Sequence, residues 1–141
     1  MATTTNPDKY IRKAVYDLVN NIVVDSKIIK CFDSRALNAP NEYILMTAQN
    51  KDVNRDNKCD NKWDTSLLIE IYTKTSSVGN SGSRLLLNNI EQSIIDLLNP
   101  KITVSGFETL IQDITFENSL ETITDTEIIF RSFLRLNLTL I

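Results

Sequence analysis

The chain has 141 residues, 42% of them hydrophobic, and a formal net charge of −3 at pH 7. This length suits one domain, residues 1–141, with a single core, and it is too short for two ordinary domains. Histidine is absent, which removes the commonest general base and the usual zinc ligand and so weakens most hydrolase and metalloenzyme assignments.

The first predicted element is an amphipathic helix that follows a flexible N-terminus, residues 1–6. Pro7 suits the first turn of a helix, where its missing N–H has no cost. Apolar residues recur at three-and-four spacing from Ile11 to Ile22, and Asn20 and Asn21 are plausible stop signals. The chain has no secretion signal and no run of roughly 20 apolar residues, so we expect a soluble protein, made in a cytoplasm, with no membrane partner.

Three strands are predicted next. Residues 27–33 and 43–49 are short runs rich in Ile, Phe, Tyr and Leu, and a longer run spans residues 63–75. The longer run has apolar side chains on both of its faces, more than an isolated monomer would expose. Between the second and third strands lies a polar segment, residues 50–62, which we expect to form a hairpin arm.

A loop rich in Ser and Gly, residues 76–83, then leads to a second amphipathic helix that Pro100 terminates. Residues 107–117 and 126–141 are predicted to form a final pair of strands, with residues 118–125 as their turn. The second strand of this pair therefore runs to the last residue of the chain.

The last predicted strand alternates strictly between two kinds of side chain. Its even-numbered residues, from Ile128 to Leu140, are apolar except for Ser132, whereas Arg131 and Arg135 lie on the odd-numbered face. The element order α-β-β-β-α-β-β predicts an α+β fold, an antiparallel or mixed sheet with both helices on one face.

Charge is distributed unevenly along the chain. Residues 1–62 carry ten Lys and Arg against eight acids, and residues 63–141 carry five against ten. The acidic segment between Lys101 and Arg131 contains no base. It should repel a phosphate backbone, so we do not expect tight, groove-reading binding of nucleic acid.

The polar arm contains one pattern of the kind found in metal sites. Its first, third, fifth and ninth calcium-loop positions are occupied by Asp52, Asn54, Asp56 and Asp60. The pattern fails because Asn57 stands where a glycine makes the sharp turn and Trp63 where a bidentate glutamate is needed. Cys31 and Cys59 match no metal-ligand spacing either, and reduced thiols are the simplest interpretation. We therefore predict no metal and no other cofactor.

The order of these elements resembles that of the tail-terminator family of long-tailed bacteriophages, small proteins that cap the head-proximal end of the tail tube. The matching segments are YIRKAVYDLV, IIKCFDSRAL, NEYILM, KWDTSLLIEIYTK, SRLLLNNIEQSIIDLL and EIIFRSFLRLNLTLI. The most specific of these features is Trp63 entering the third strand. The segment from Thr103 to Asp125 departs from the family because it is longer and more acidic.

The resemblance implies a structural virion protein of the neck or tail, without catalysis or cofactor. Its copies would form a closed ring of six or twelve subunits around the DNA path, stop tube growth and contact the neighbouring connector and tail proteins. DNA would pass through without sequence-specific binding. The resemblance leaves open whether the role is tail termination, tail completion or the connector ring of a short-tailed phage.

Two sets of side chains are candidates for contacts in such a ring. The candidate subunit or ring interface consists of Asp52, Arg55, Lys58, Asp60, Lys62, Trp63, Arg131 and Arg135. The candidate acidic face, which would line the channel or meet a basic neighbour, consists of Glu108, Asp113, Glu117, Glu121, Asp125 and Glu127.

Two other classes of function stay open. A small binding module that acts alone, either calcium-dependent or peptide-binding, predicts a monomer in solution. An enzyme without histidine would need a pair of carboxylates in a deep pocket. The sequence selects no such pair.

Overall fold

The computed structural model describes residues 5–54, 62–78, 83–117 and 119–141. The prediction of an α+β fold is confirmed. The described elements are α1 (Asp8–Val19), β1 (Ile22–Val24), β2 (Lys27–Asp33), β3 (Glu42–Asn54), β4 (Lys62–Ser76), α2 (Leu85–Leu98), β5 (Thr109–Phe116), β6 (Leu120–Ile123) and β7 (Glu127–Leu140).

All seven described strands belong to one mixed sheet, with the order β1-β2-β3-β4-β7-β5. The β2–β3 pair is parallel, and the other described pairs are antiparallel. Strand β6 pairs with the first residues of β7 and β5 with the last ones, while β4 pairs along the whole of the other side of β7. Therefore β5 and β6 lie end to end and form one interrupted edge of the sheet.

One face of this sheet carries the core. Every even-numbered residue of β7 from Ile128 to Leu140 is buried, as predicted, and all of them except Ser132 join the buried side chains of both helices in one hydrophobic cluster. Ser132 within this face donates from Oγ to Glu91 Oε2 of α2 over 3.0 Å. Gln49, which lies beside buried Leu67 in the β3–β4 register, donates to the carbonyl oxygen of Asp8 in α1. Both helices thus contact the same face, the covered face, and we call the opposite one the open face.

The first helix ends earlier than the apolar spacing suggested. Asn21 adopts a φ of 61°, in the left-handed region that terminates helices. Ile22 therefore begins a strand instead of continuing the helix stripe. Asp25 and Ser26 have φ values of 50° and 64°, as in the tight two-residue hairpin turns that join antiparallel strands, and they fold β1 onto β2.

Two further segments differ from the sequence prediction. The predicted turn at residues 118–125 contains β6, a four-residue strand whose sequence LETI is too short to show a periodicity. The predicted arm at residues 50–62 has fewer residues outside the strands than expected, because β3 continues to Asn54 and β4 begins at Lys62. The central part of the arm, residues 55–61, lies outside the described residues.

A bulge in β3 changes which of its side chains face the core. The pairing with β4 shifts between Met46 and Gln49, so even-numbered residues face the core before the bulge and odd-numbered ones after it. Arg12 of α1 donates to the carbonyl oxygens of both Met46 (2.9 Å) and Thr47 (3.1 Å) at this point. Its guanidinium thus provides partners for the carbonyls that the bulge exposes and ties α1 to the sheet.

Candidate assembly surfaces

The open face carries a row of aromatic side chains that crosses three strands. The rings of Tyr43 and Tyr72 stack, with centroids 4.8 Å apart and planes inclined by 7°, and Phe32 meets Tyr43 edge-on at 5.9 Å. On β7, the guanidinium of Arg131 lies 5.8 Å from the ring centroid of Phe133. Aromatic and arginine side chains of this kind are enriched at protein interfaces.

The phenols in this row are held in their neutral form. Tyr72 donates its hydroxyl to Glu70 Oε1 over 2.7 Å. Burial and this hydrogen bond raise the pKa of Tyr72 to about 12, and burial together with the charge of Glu70 also raises the pKa of Tyr43. Because the hydroxyl of Tyr72 already has a partner, the row presents ring faces to a partner without uncompensated charge.

The other end of the open face is polar. Asn137 donates to Asp113 Oδ1 and Thr139 to Asp64 Oδ1, each over 3.0 Å, and Asp52 lies beside Asp64 in the strand register. These side chains surround a cavity of about 300 Å³. Within the described ranges, no cluster of three or more His, Cys, Asp or Glu side chains is placed to hold a metal ion.

The predicted acidic set is spread along the β5–β6 edge and the turn that follows it. Three of its members form ion pairs within the chain: Glu117 with Arg135 (2.8 Å), Glu121 with Arg84 (3.1 Å) and Glu127 with Lys74 (4.0 Å). Asp113 and Glu117 contact odd-numbered residues of β7 and so belong to the open face, whereas Glu121 lies beside Phe130 of the covered face. The set therefore follows one edge and does not share one face.

The same edge exposes large apolar side chains. Ile111, Phe116, Leu120 and Ile123 of β5 and β6 are 61%, 58%, 43% and 65% exposed. Together with Glu108, Asp113, Glu117, Glu121 and Asp125, they form what we call the acidic edge. A sheet edge that combines unpaired backbone with exposed apolar side chains is a candidate docking surface.

A basic groove lies at the opposite side of the sheet, between α1 and β2, and has a volume of about 640 Å³. Exposed Lys9, Lys13 and Lys30 line it together with the rings of Tyr16 and Phe32, and we call it the lysine groove. Sequence analysis did not identify it. The only available signal was the spacing of Lys9 and Lys13, one turn apart on the polar side of the first helix.

The predicted interface set is dispersed by the fold. Arg131 and Arg135 lie on the open face, and Asp52 and Lys62 lie near the end of the β3–β4 hairpin. Trp63 is 7% exposed and belongs to the core cluster. The remaining members, Arg55, Lys58 and Asp60, lie outside the described residues, as does Asp56 of the calcium-like pattern.

Cys31 is buried in the covered face at the base of the lysine groove. Burial and the nearby charge of Asp33 raise the pKa of its thiol to about 12. A thiol with so high a pKa carries almost no thiolate at neutral pH and is a poor nucleophile.

Neither described helix is long and apolar enough to cross a membrane.

Comparison with known proteins gives a structural likeness. No protein-family model matches the sequence, and no curated protein matches it. Among solved structures, the fold is similar to that of a chain in the virion of a native gene transfer agent particle, with a TM-score of 0.51 and 9% sequence identity. The likeness covers 94% of this chain and 91% of that one. The two chains therefore share a fold over most of their lengths.

Proposed function

We propose that this protein is a structural virion component that forms a ring around the DNA path at the neck or at the head-proximal end of a tail. The observation that carries the proposal is the shared fold with a virion chain, which covers 94% of this chain and 91% of the other. The likeness therefore extends over most of each of the two chains. A subunit of an assembled particle needs surfaces for neighbours and requires neither catalysis nor a cofactor.

The distribution of apolar surface supports assembly. Four large apolar side chains of β5 and β6 lie along one edge, and the aromatic row crosses the open face. Monomeric proteins rarely leave long apolar sheet edges exposed, because such edges associate. Copies of this chain, together with neighbouring connector or tail proteins, would cover both surfaces.

The charge of the C-terminal half suits a surface that DNA passes without binding. Residues 102–130 contain no Lys or Arg. Carboxylates repel phosphates, so those of this segment that do not contact a neighbouring copy would let DNA slide along the channel without sequence-specific contacts. A binding module that acts alone would have no comparable use for this segment.

Mass measurement by light scattering, alone and mixed with tail and connector proteins, tests the proposal. The expected result is a ring of six or twelve copies, visible as a closed particle by electron microscopy. A concentration-independent monomer in every mixture would contradict the ring and favour the binding module, and calcium titration of that monomer would test its calcium-dependent form.

Particles made without this protein distinguish the possible roles. A tail terminator stops tube growth, so its loss should give tails of abnormal length. A tail-completion or connector-ring protein joins the head to the tail, so its loss should give separate heads and tails with normal tail length. Normal, infectious particles in its absence would contradict all three roles.

A further inference from the structure

We infer that the acidic edge of one copy docks into the lysine groove of the next copy. This inference rests on the ring proposed above and names the two surfaces that join its subunits. The two surfaces lie at opposite sides of the same sheet, one beside β5 and β6 and the other beside β2. A contact between different surfaces of identical subunits is head-to-tail, and such contacts form a ring when the rotation between successive copies closes.

The charges of the two surfaces are complementary. The groove is lined by four bases, Lys9, Arg12, Lys13 and Lys30, and by two acids, Asp17 and Asp33. The acidic edge carries five carboxylates, and two of them, Glu117 and Glu121, form ion pairs with arginines of the same chain. An excess of positive charge on one side and of negative charge on the other orients the two copies and speeds their encounter.

The groove lysines are available to a partner. Lys30 lies 5.5 Å from the ring centroid of Phe32, and Lys9 lies 4.9 Å from that of Tyr10. Lys13 pairs with Asp17 one turn along the helix, but both side chains are more than half exposed, so the pair contributes little. Arg12 is different, because it already bonds to Asp33 and to the β3 bulge. The three lysines, and not the arginine, would therefore contact the neighbour.

The acidic edge also has groups without a strong partner. Glu108 and Asp125 are exposed, and within the described part of the chain the one side-chain partner of Asp113 is the neutral amide of Asn137. Phe116 and Leu120 lie between these carboxylates along the chain and are 58% and 43% exposed. Tyr16 and Phe32, which also line the groove, provide an apolar surface for such side chains.

The shape of the edge favours contact through side chains over the addition of a strand. The register of β5 shifts between Thr109 and Ile111, and the edge is interrupted between Phe116 and Leu120. Bulges and breaks prevent a continuous backbone ladder with a neighbouring chain. Side-chain charge should therefore dominate this contact, and it can be tested by reversing charge.

Two charge-reversal variants test the contact. One is Lys13→Glu with Lys30→Glu, and the other is Asp113→Lys with Asp125→Lys. Each variant alone places like charges across every contact, and the dissociation constant of the ring should rise by at least about a hundredfold. An equimolar mixture should restore rings of alternating variants, because each reversed surface then meets its complement. Asp96→Lys on α2 is the matched control and should leave assembly unchanged.

The outcomes separate this inference from the proposed ring. A monomeric wild-type protein contradicts the ring itself. A wild-type ring that both variants still form, or folded monomeric variants whose mixture does not assemble, contradicts the contact and leaves the ring intact. Circular dichroism of each variant shows whether it is folded, and single reversals at Lys30 and Asp125 replace any variant that is not.

Discussion

The two faces of the sheet are built from the same strands but differ in burial and in composition. Leu134 points into the covered face and is 1% exposed, whereas its neighbour Phe133 points into the open face and is only half-buried. The covered face is packed against two helices and is almost entirely apolar. The open face combines the aromatic row with polar rows whose side chains bond to one another.

The covered face therefore mainly stabilises the fold, whereas the open face is available for recognition of a partner. Burial against the helices removes apolar surface from water, which stabilises the fold by about 25 cal/mol per Å². The open face keeps rings, arginines and carboxylates partly in contact with water, where they contribute less to folding but are accessible to a partner. The following predictions test how far this separation holds, from the largest expected effect to the smallest.

Truncation of adjacent residues on β7 should give the largest contrast. Leu134→Ala leaves a cavity among fully buried side chains and should lower the free energy of unfolding by about 3 kcal/mol. Phe133→Ala, on the open face, should cost about 1 kcal/mol or less, because its ring is partly solvated in the folded monomer. Urea denaturation of the monomeric protein measures both, and equal losses would show that the open face belongs to the folding core.

Loss of the Ser132 hydroxyl, within the covered face, should lower the free energy of unfolding more than loss of the Thr139 hydroxyl on the open face. Ser132→Ala removes the hydroxyl that donates to Glu91, and leaves a half-buried carboxylate without that donor. We expect a loss of about 1.5 kcal/mol. Thr139→Ala, which removes an exposed hydroxyl that donates to Asp64, serves as the control and should cost about 0.5 kcal/mol. A neutral Ser132→Ala variant would contradict a stabilising role for the Ser132–Glu91 hydrogen bond.

The aromatic row should make stability depend on pH only in the alkaline range. The folded state raises the pKa of Tyr72 from 10.0 to about 12, so it favours the neutral phenol. The resulting stabilisation is fully present below pH 10 and is lost as the pH rises towards 12. The denaturation midpoint of the wild-type protein should therefore fall relative to that of Tyr72→Phe over this interval.

Glu70→Gln is the control for that interpretation. Burial is the largest cause of the raised pKa of Tyr72, and the carboxylate of Glu70 raises it further. The substitution removes the charge of that carboxylate. Phenolate absorbance should then appear at lower pH in Glu70→Gln than in the wild-type protein. An unchanged titration would show that Glu70 contributes little to the pKa.

The smallest expected effect concerns the thiol below the lysine groove. In a Cys59→Ser variant, Cys31 is the single thiol. Its burial and its pKa of about 12 should keep its reaction with a disulfide reagent slow in the folded protein and fast in urea. Rapid reaction in native buffer would show that the groove opens to the core.

Local periodicity allowed much of the fold to be predicted. The alternation from Ile128 to Leu140 identified the covered face of β7, and the spacing of apolar residues identified both helices. The candidate surfaces were predicted less well. The acidic residues were recognised as a set, but their division between two faces depends on the register of β5 and β6 with β7, which no local pattern encodes.

The amino-acid sequence by itself determined the class of fold, the core side of β7 and the excess of acid in the last third of the chain, because these features depend on residues close together along the chain. The tertiary structure decided the parallel pairing of β2 with β3, the change of facing at the β3 bulge, and the meeting of Lys9 and Lys13 with Lys30 in one groove. Those features depend on hydrogen bonds and contacts between distant segments, so they exist only once the sheet has assembled.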